Sequence, residues 1–227
     1  ATGADYQVTF TENGGAVSIV DAADASLLDV DGGNLVGLTV TLSNPLDGAS
    51  EVLTANTSGT SIVAVYNNGT GVLTLSGSDS IANYQQVLRT IQYNNSSEAP
   101  DLTNRVLYVV AEDGTVYSNT ATVTVSMVGV NDPTVVTGGT SGTGNEDTTI
   151  SGTLTATDAE GLADGTVFNV TGAATNGTAS IDPATGLWSY TPTADWHGSD
   201  SFTVTITDDA GNTATQVISV TVTPVVD

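Results

Sequence analysis

The chain has 227 residues, with 25 Asp and Glu against two arginines, Arg89 and Arg105, and one histidine, for a formal charge of −23. That balance excludes nucleic acid and anionic membrane surfaces as partners, since phosphate binding needs clustered Lys and Arg, and the absence of cysteine excludes disulfides, thiolate metal sites and cysteine nucleophiles. A hydrophobic content of 39 % suffices for ordinary cores; no apolar run of about 18 residues is present and Ala1 opens no signal segment, so a soluble chain is expected.

Apolar residues recur with a period of two, beginning with Tyr6, Val8 and Phe10, and Gly, Asn or Asp clusters interrupt them at short intervals. This pattern predicts an all-β chain, and the abundant Thr and Val suit strands. Glu12 follows the first strand, and Asp29 and Asp31 stand one residue apart in a loop. Tyr66 to Leu75 reads as a hairpin built on Asn67, Asn68 and Gly69. The one helical turn lies at Ile81 to Leu88, where Tyr84, Val87 and Leu88 follow a three-and-four spacing. Asp113 with Gly114 marks a turn, and Ala121 to Met127 a long strand.

A domain boundary is expected at Val130, Asn131, Asp132 and Pro133, because Pro133 ends strand pairing and the stretch from Thr137 to Asn145 is rich in Gly, Ser and Thr. The predicted domains are 1–132 and 133–227, with formal charges of −12 (14 acids less two arginines) and −11. Beyond the boundary, strands are expected at 150–157, 166–171, 178–181, 187–191, 201–207 and 213–223. Asp182 to Gly186 reads as a tight hairpin, Pro183 setting the turn and Gly186 taking the left-handed position. Both halves present the same order of events: Glu12, Asp29 and Asp31, then Asp113 in the first; Glu146, Asp158 and Glu160, then Asp208 in the second. A repeat of about 100 residues with several short strands predicts two tandem antiparallel β-sandwiches. Trp188 with Tyr190, and Trp196 with Phe202, are expected as core pillars of the second, and Tyr84 and Tyr93 as core residues of the first.

Catalysis is not expected. Asp195, His197 and Ser199 crowd one loop, but residues two apart rarely converge as a triad does. A single histidine cannot build a zinc site, aromatics at 5 % are few for a glycosidase cleft, and no glycine-rich phosphate loop precedes a helix. Carboxylates crowded at strand ends instead repel one another, and a hard divalent cation with oxygen ligands relieves the repulsion. Calcium, which accepts 6 to 8 oxygens in flexible geometry, fits better than magnesium. Solubility alone would be served equally by dispersed acids, and Asp before Gly is also ordinary turn chemistry.

Glu12 and Asn13 after an alternating strand, Asp29 to Asp31, Ala111 to Gly114, and Asn131, Asp132 and Pro133 resemble the calcium motifs of cadherin-like repeats. Ala156 to Gly161 and Thr207 to Asn212 are similar again, and Gly177 to Ala179, Trp188 with Tyr190, and Asp200 to Phe202 resemble the tandem repeats of large bacterial RTX adhesins, which are type I secreted surface proteins. The resemblance implies Ca²⁺ between successive domains, with Glu12, Asn131, Asp132, Asp158, Glu160 and Asp208 at the junction. It assigns Asp29, Asp31 and Asp113 to an upstream neighbour and Glu146, Asp200 and Asp227 to a downstream one. Only Glu98 and Asp101 stand where the family has an acidic motif before the penultimate strand of the first domain. Implied further are an extracellular place on a bacterial cell surface, a monomer whose partners are neighbouring repeats, and a role as a calcium-rigidified extender in adhesion and biofilm. The alternative is an adhesive module with a sugar or peptide site in the first domain, where the segments 44–56 and 81–101 add length. A third option is an ancillary domain of a polysaccharide-degrading enzyme.

Overall fold

The computed structural model describes residues 6–30 and 32–226; Asp31 and Asp227 lie outside them. Two compact units divide the chain, Ala1–Val130 and Asn131–Asp227.

In the first unit the alternating segments form β1 (Tyr6–Thr11), β2 (Val17–Ser18), β3 (Asn34–Leu42), β4 (Glu51–Thr54), β5 (Val63–Asn67), β6 (Val72–Ser80), β7 (Gln92–Asn95), β8 (Arg105–Glu112) and β9 (Ala121–Val128), with α1 at Ile81–Leu88. A six-stranded sheet, ordered β1-β9-β8-β3-β6-β5, and a three-stranded sheet, β2-β7-β4, enclose one core. Leu107, Val109 and Ala111 of β8 and Val123, Val125 and Met127 of β9 point inward at alternate positions. Phe10 and Tyr93 join the two sheets edge to face, with ring centroids 5.5 Å apart. The pairing of β1 with β9 is parallel, Tyr6 opposite Val123 through Thr11 opposite Val128, and the other ladders of this unit are antiparallel. The expected hairpin joins β5 to β6, its left-handed residue being Gly71.

Ser80 caps α1 by accepting the Asn83 N–H at 3.2 Å. Tyr84, Val87 and Leu88 form the buried face that the spacing predicts. Asp79 receives the N–H groups of Ser61 and Ser80, both at 2.7 Å, and these hold its pKa below the usual carboxylate value.

At the start of β8 the inward position belongs to Arg105, which is wholly buried. Its Nε donates to Glu51 Oε1 and its second terminal nitrogen to Asp47 Oδ2, each at 2.6 Å. The carbonyls of Asp101 and Thr103 take the remaining nitrogen. Glu51 also accepts the Tyr93 hydroxyl at 2.7 Å and the Asp47 N–H at 2.9 Å, and Asn95 donates to Asp47 at 2.6 Å. Burial first, and then Glu51, raise the Tyr93 pKa, so the phenol remains a donor. Removing a charge from water costs several kcal/mol, and only dense hydrogen bonding of this kind offsets it. The segments 44–56 and 81–101 thus contribute Asp47, Glu51, Tyr93, Asn95 and Asp101 to this buried network.

The second unit comprises β10 (Val135–Gly138), β11 (Ser141–Asn145), β12 (Ile150–Thr153), β13 (Thr155–Thr157), β14 (Phe168–Gly172), β15 (Gly177–Ile181), β16 (Leu187–Pro192), β17 (Gly198–Thr207) and β18 (Thr213–Thr223). Sheets β11-β18-β17-β14 and β12-β16-β15 enclose its core, and β10 pairs with β13. Phe202, Val204 and Ile206 of β17 and Ile218, Val220 and Val222 of β18 supply the alternating inner face. Again the first long strand lies parallel to the last, β11 against β18. Trp188 is fully buried, stacks edge to face on Phe202 at 5.7 Å and donates its indole N–H to the Gly139 carbonyl at 2.9 Å. It lies flat on two glycines, since a Cβ on Gly142 or Gly152 would come within 2.6 or 2.5 Å of its ring. Trp196 is only partly buried, because it sits in the turn before β17, outside the alternation; Phe202 takes Trp188 as its ring partner instead. Gly186 adopts a φ of 71° in the hairpin between β15 and β16, as its turn requires.

Replacing Glu51 by Ala leaves Arg105 buried without its main counter-ion and is expected to destabilise the first unit by about 3–5 kcal/mol. Both tryptophans lie in the second unit. Urea unfolding of Glu51→Ala should therefore shift the far-ultraviolet circular dichroism transition and leave the tryptophan fluorescence transition in place.

Candidate metal centres

Where the chain leaves each unit, a buried glutamate follows the first strand of the parallel pair. In the first unit the Glu12 N–H donates to the Val128 carbonyl at 2.9 Å, and Glu12 Oε2 accepts the Val130 N–H at 2.8 Å. In the second the Glu146 N–H donates to Thr223 at 2.9 Å, and Glu146 Oε1 accepts the Val225 N–H at 2.6 Å. The two clamps are atom-for-atom equivalents. Each is followed by a non-glycine residue in the left-handed region, Asn13 at φ 57° and Asp147 at φ 61°. Asn and Asp tolerate that conformation better than other side chains do, and it turns the chain sharply away from the clamp. An oxygen of Glu98 lies within 4.8 Å of one from Glu12. His197 Nδ1 lies 3.4 Å from Glu146 Oε2.

Where the chain enters the second unit, a set of acids converges. Asp158 Oδ2 accepts the Thr134 hydroxyl at 2.9 Å, and its Oδ1 accepts the Glu160 N–H at 3.2 Å. Glu160 Oε2 takes the Asp132 N–H at 3.2 Å, whereas Glu160 Oε1 is buried and accepts no hydrogen bond. Asp208, 2 % exposed, binds the Asn212 N–H at 2.7 Å and the Asn212 side-chain amide at 3.2 Å. Burial raises the Asp208 pKa, but hydrogen bonds from the Asn131 side chain and from Asn212 outweigh that and leave it below the ordinary value. Asn131, Asp132, Asp158, Glu160 and Asp208 thus share one end of this unit. A buried carboxylate oxygen without a donor is costly, and a divalent cation would satisfy it.

The other predicted ligands are placed differently. Asp113 Oδ1 accepts the Thr115 hydroxyl and N–H, both at 2.7 Å, and the Val116 N–H at 2.8 Å. These bonds, the hydroxyl foremost, bring its pKa to about 2. Asp29 and Asp113 both line one cavity of the first unit. Asp200 is a bolt within the sandwich: Oδ1 accepts the N–H groups of Thr175 at 3.2 Å and Ser201 at 2.8 Å, and Oδ2 those of Asn176 at 2.7 Å and the Tyr190 hydroxyl at 3.0 Å. Its burial opposes ionisation and the four donors outweigh that, so its pKa lies below the ordinary value. Burial, and then Asp200, push the Tyr190 phenol up to about 12. The pairing of Glu51 with Arg105 escaped sequence reading, because nothing in the spacing of residues 54 apart signals a contact.

Residues 131–221 match the family model described as Bacterial Ig domain. No curated protein matches the chain. Among solved structures, the chain is similar to protocadherin gamma B7 extracellular cadherin domains 1–4, at 15 % identity and a TM-score of 0.39 over 97 % of this chain and 49 % of that one. It is likewise similar to the human desmocollin-1 ectodomain, at 13 % identity and 0.36 over 97 % and 39 %. The titin domains z1z2 in complex with telethonin align at 12 % identity and 0.35 over 98 % and 95 %. The chain spans about half the length of the protocadherin chain. At these scores the likeness carries no functional information. Both units are all-β, and the second is the one matched by the bacterial Ig model.

Amide exchange tests the clamps. The Val130 N–H in Glu12→Ala and the Val225 N–H in Glu146→Ala should exchange roughly tenfold to a hundredfold faster than in the parent chain, the worth of a hydrogen bond to a charged acceptor, while core amides stay protected. Acid titration tests the bolt. A carboxylate with a depressed folded pKa contributes stability that is complete above its ordinary value, 3.8 for Asp200, and is lost as the pH falls through the folded value. Below pH 3.8 the second unit should lose tryptophan-monitored stability, and Asp200→Asn should flatten that part of the profile.

Proposed function

We propose that the chain is a calcium-rigidified extender module of a large bacterial cell-surface adhesin of the RTX type, acting outside the cell in adhesion and biofilm. The observation that carries this reading is the buried Glu160 Oε1, which accepts no hydrogen bond at an end of the second unit shared with Asp132, Asp158 and Asp208. The donor set fits calcium: carboxylates with an amide oxygen from Asn131 and nearby carbonyls, all oxygen, without nitrogen or sulfur ligands. The match of residues 131–221 to a bacterial Ig domain supports a structural module, and the clamp at Glu12 ties the linker to the first unit at Val130.

Chain continuity makes the mechanism mechanical. Val130, held by Glu12, is joined by one peptide bond to Asn131, whose side chain reaches Asp208, and Asp132 is held by Glu160. Calcium bound by Asp132, Asp158, Glu160 and Asp208 would neutralise these charges and restrain the residues that connect the units. Glu146, with Asp147 beside it, would offer the same arrangement to a following repeat. The expected affinity is that of extracellular modules, a Kd of about 10⁻⁴ to 10⁻³ M.

Calorimetric titration and small-angle scattering test this reading. Calcium should raise the melting temperature and narrow the distribution of interatomic distances relative to a chelator. Glu160→Gln should weaken calcium binding about tenfold by removing one ligand charge. Identical melts and scattering in calcium and in chelator would remove the reading.

A further inference from the structure

A cavity of about 650 Å³ opens in the first unit, between the loop from β2 to β3 and the loop from β8 to β9. That volume is within the roughly 300–1,000 Å³ usual for ligand pockets. Buried Leu35, Val109, Ala111 and Val123 form its apolar floor, and α1 adds Ile81 and Leu88. One wall is fixed in place: both Nε and a terminal nitrogen of Arg89 donate to the Ala25 carbonyl, at 3.0 and 2.8 Å, and the Leu27 N–H donates to Gln85 Oε1 at 3.1 Å. Apolar surface continues outside the cavity on Leu28, Val30, Val116 and Tyr117, which are 76, 91, 64 and 74 % exposed. Among the described residues the lining includes five carboxylates, Asp21, Asp24, Asp29, Glu112 and Asp113, and no Lys, Arg or His.

An apolar floor, exposed apolar side chains beside it and a rim of carboxylates suit a partner that is both apolar and basic. We propose that this cavity binds a peptide segment of a partner protein in which a large apolar side chain, seated on Leu35 and Val109, is flanked by Lys or Arg that meet the rim. The chain's own charge of −23 would speed the approach of such a segment and repel acidic ones. The site lies wholly in the first unit and makes no use of the acids around Glu160, so it stands or falls apart from the extender reading.

The test is fluorescence anisotropy of a dye-labelled, amidated tetrapeptide of alternating lysine and leucine, titrated with the full chain at low salt. A chelator is present because calcium would compete for the same carboxylates. Saturable binding is expected, lost on raising the salt and absent for the glutamate–leucine counterpart. Ala121→Leu, which extends a side chain of the lining into the cavity, should weaken it at least tenfold, and Asp24→Asn with Asp29→Asn roughly threefold to tenfold. Melting curves establish that each protein is folded; if Ala121→Leu does not fold, the rim variant decides. No saturable binding to the folded parent chain, equal binding of the glutamate–leucine peptide, or binding untouched by every folded variant overturns the proposal.

Discussion

Charge neutralisation is the constraint on which this molecule turns. Twenty-five carboxylates share a chain with two arginines, and both arginines are already engaged within the first unit. Arg105 is sealed in the first core against Glu51 and Asp47, and Arg89 gives Nε and a terminal nitrogen to the Ala25 carbonyl. Every other acid must be balanced by hydrogen-bond donors, by the lone His197, or by cations from solution.

The protein uses the first of these wherever a turn permits. Asp79, Asp113, Asp182 and Asp200 each collect several N–H or hydroxyl donors, and each has a lowered pKa as a result. Such carboxylates are engaged in building loops and, in Asp200, in pinning Tyr190 across the sandwich. Glu12 and Glu146 are a second class, closing the parallel pairing of first and last strands and gripping the departing chain. Glu160 is a third, holding the Asp132 N–H with Oε2 where the chain enters the second unit.

The β class, the strands of the second unit from Ile150 onward, the helix at Ile81–Leu88 and the 182–186 hairpin were legible in the sequence because each rests on local chemistry, whereas the Gly- and Thr-rich strands Val135–Gly138 and Ser141–Asn145 were not. The grouping of Asp158, Glu160 and Asp208 was implied by the resemblance of their segments to cadherin-like motifs, not by their spacing. What the spacing hid was long-range and polar. Nothing in the local sequence marks Arg105 for burial, yet the inward phase of β8 and a glutamate 54 residues earlier make it a core residue. The resemblance assigns Asp200 to a downstream neighbour, yet its oxygens accept from the 175–176 backbone and from Tyr190. The equivalence of Glu12 with Glu146 was visible in sequence order, whereas the left-handed residue after each clamp and the parallel strand pairs emerged only from the backbone.

The division of acids into engaged and available groups is tested most directly by titrating the isotope-labelled chain with Mn²⁺ in place of calcium and following paramagnetic broadening of amide resonances. Broadening should begin at Asp132, Glu160 and Asp208, with the amides around Asp182 and Asp200 unaffected at the same metal concentration. Broadening that begins at Asp182 or Asp200, or that spreads evenly over all exposed acids, would contradict it.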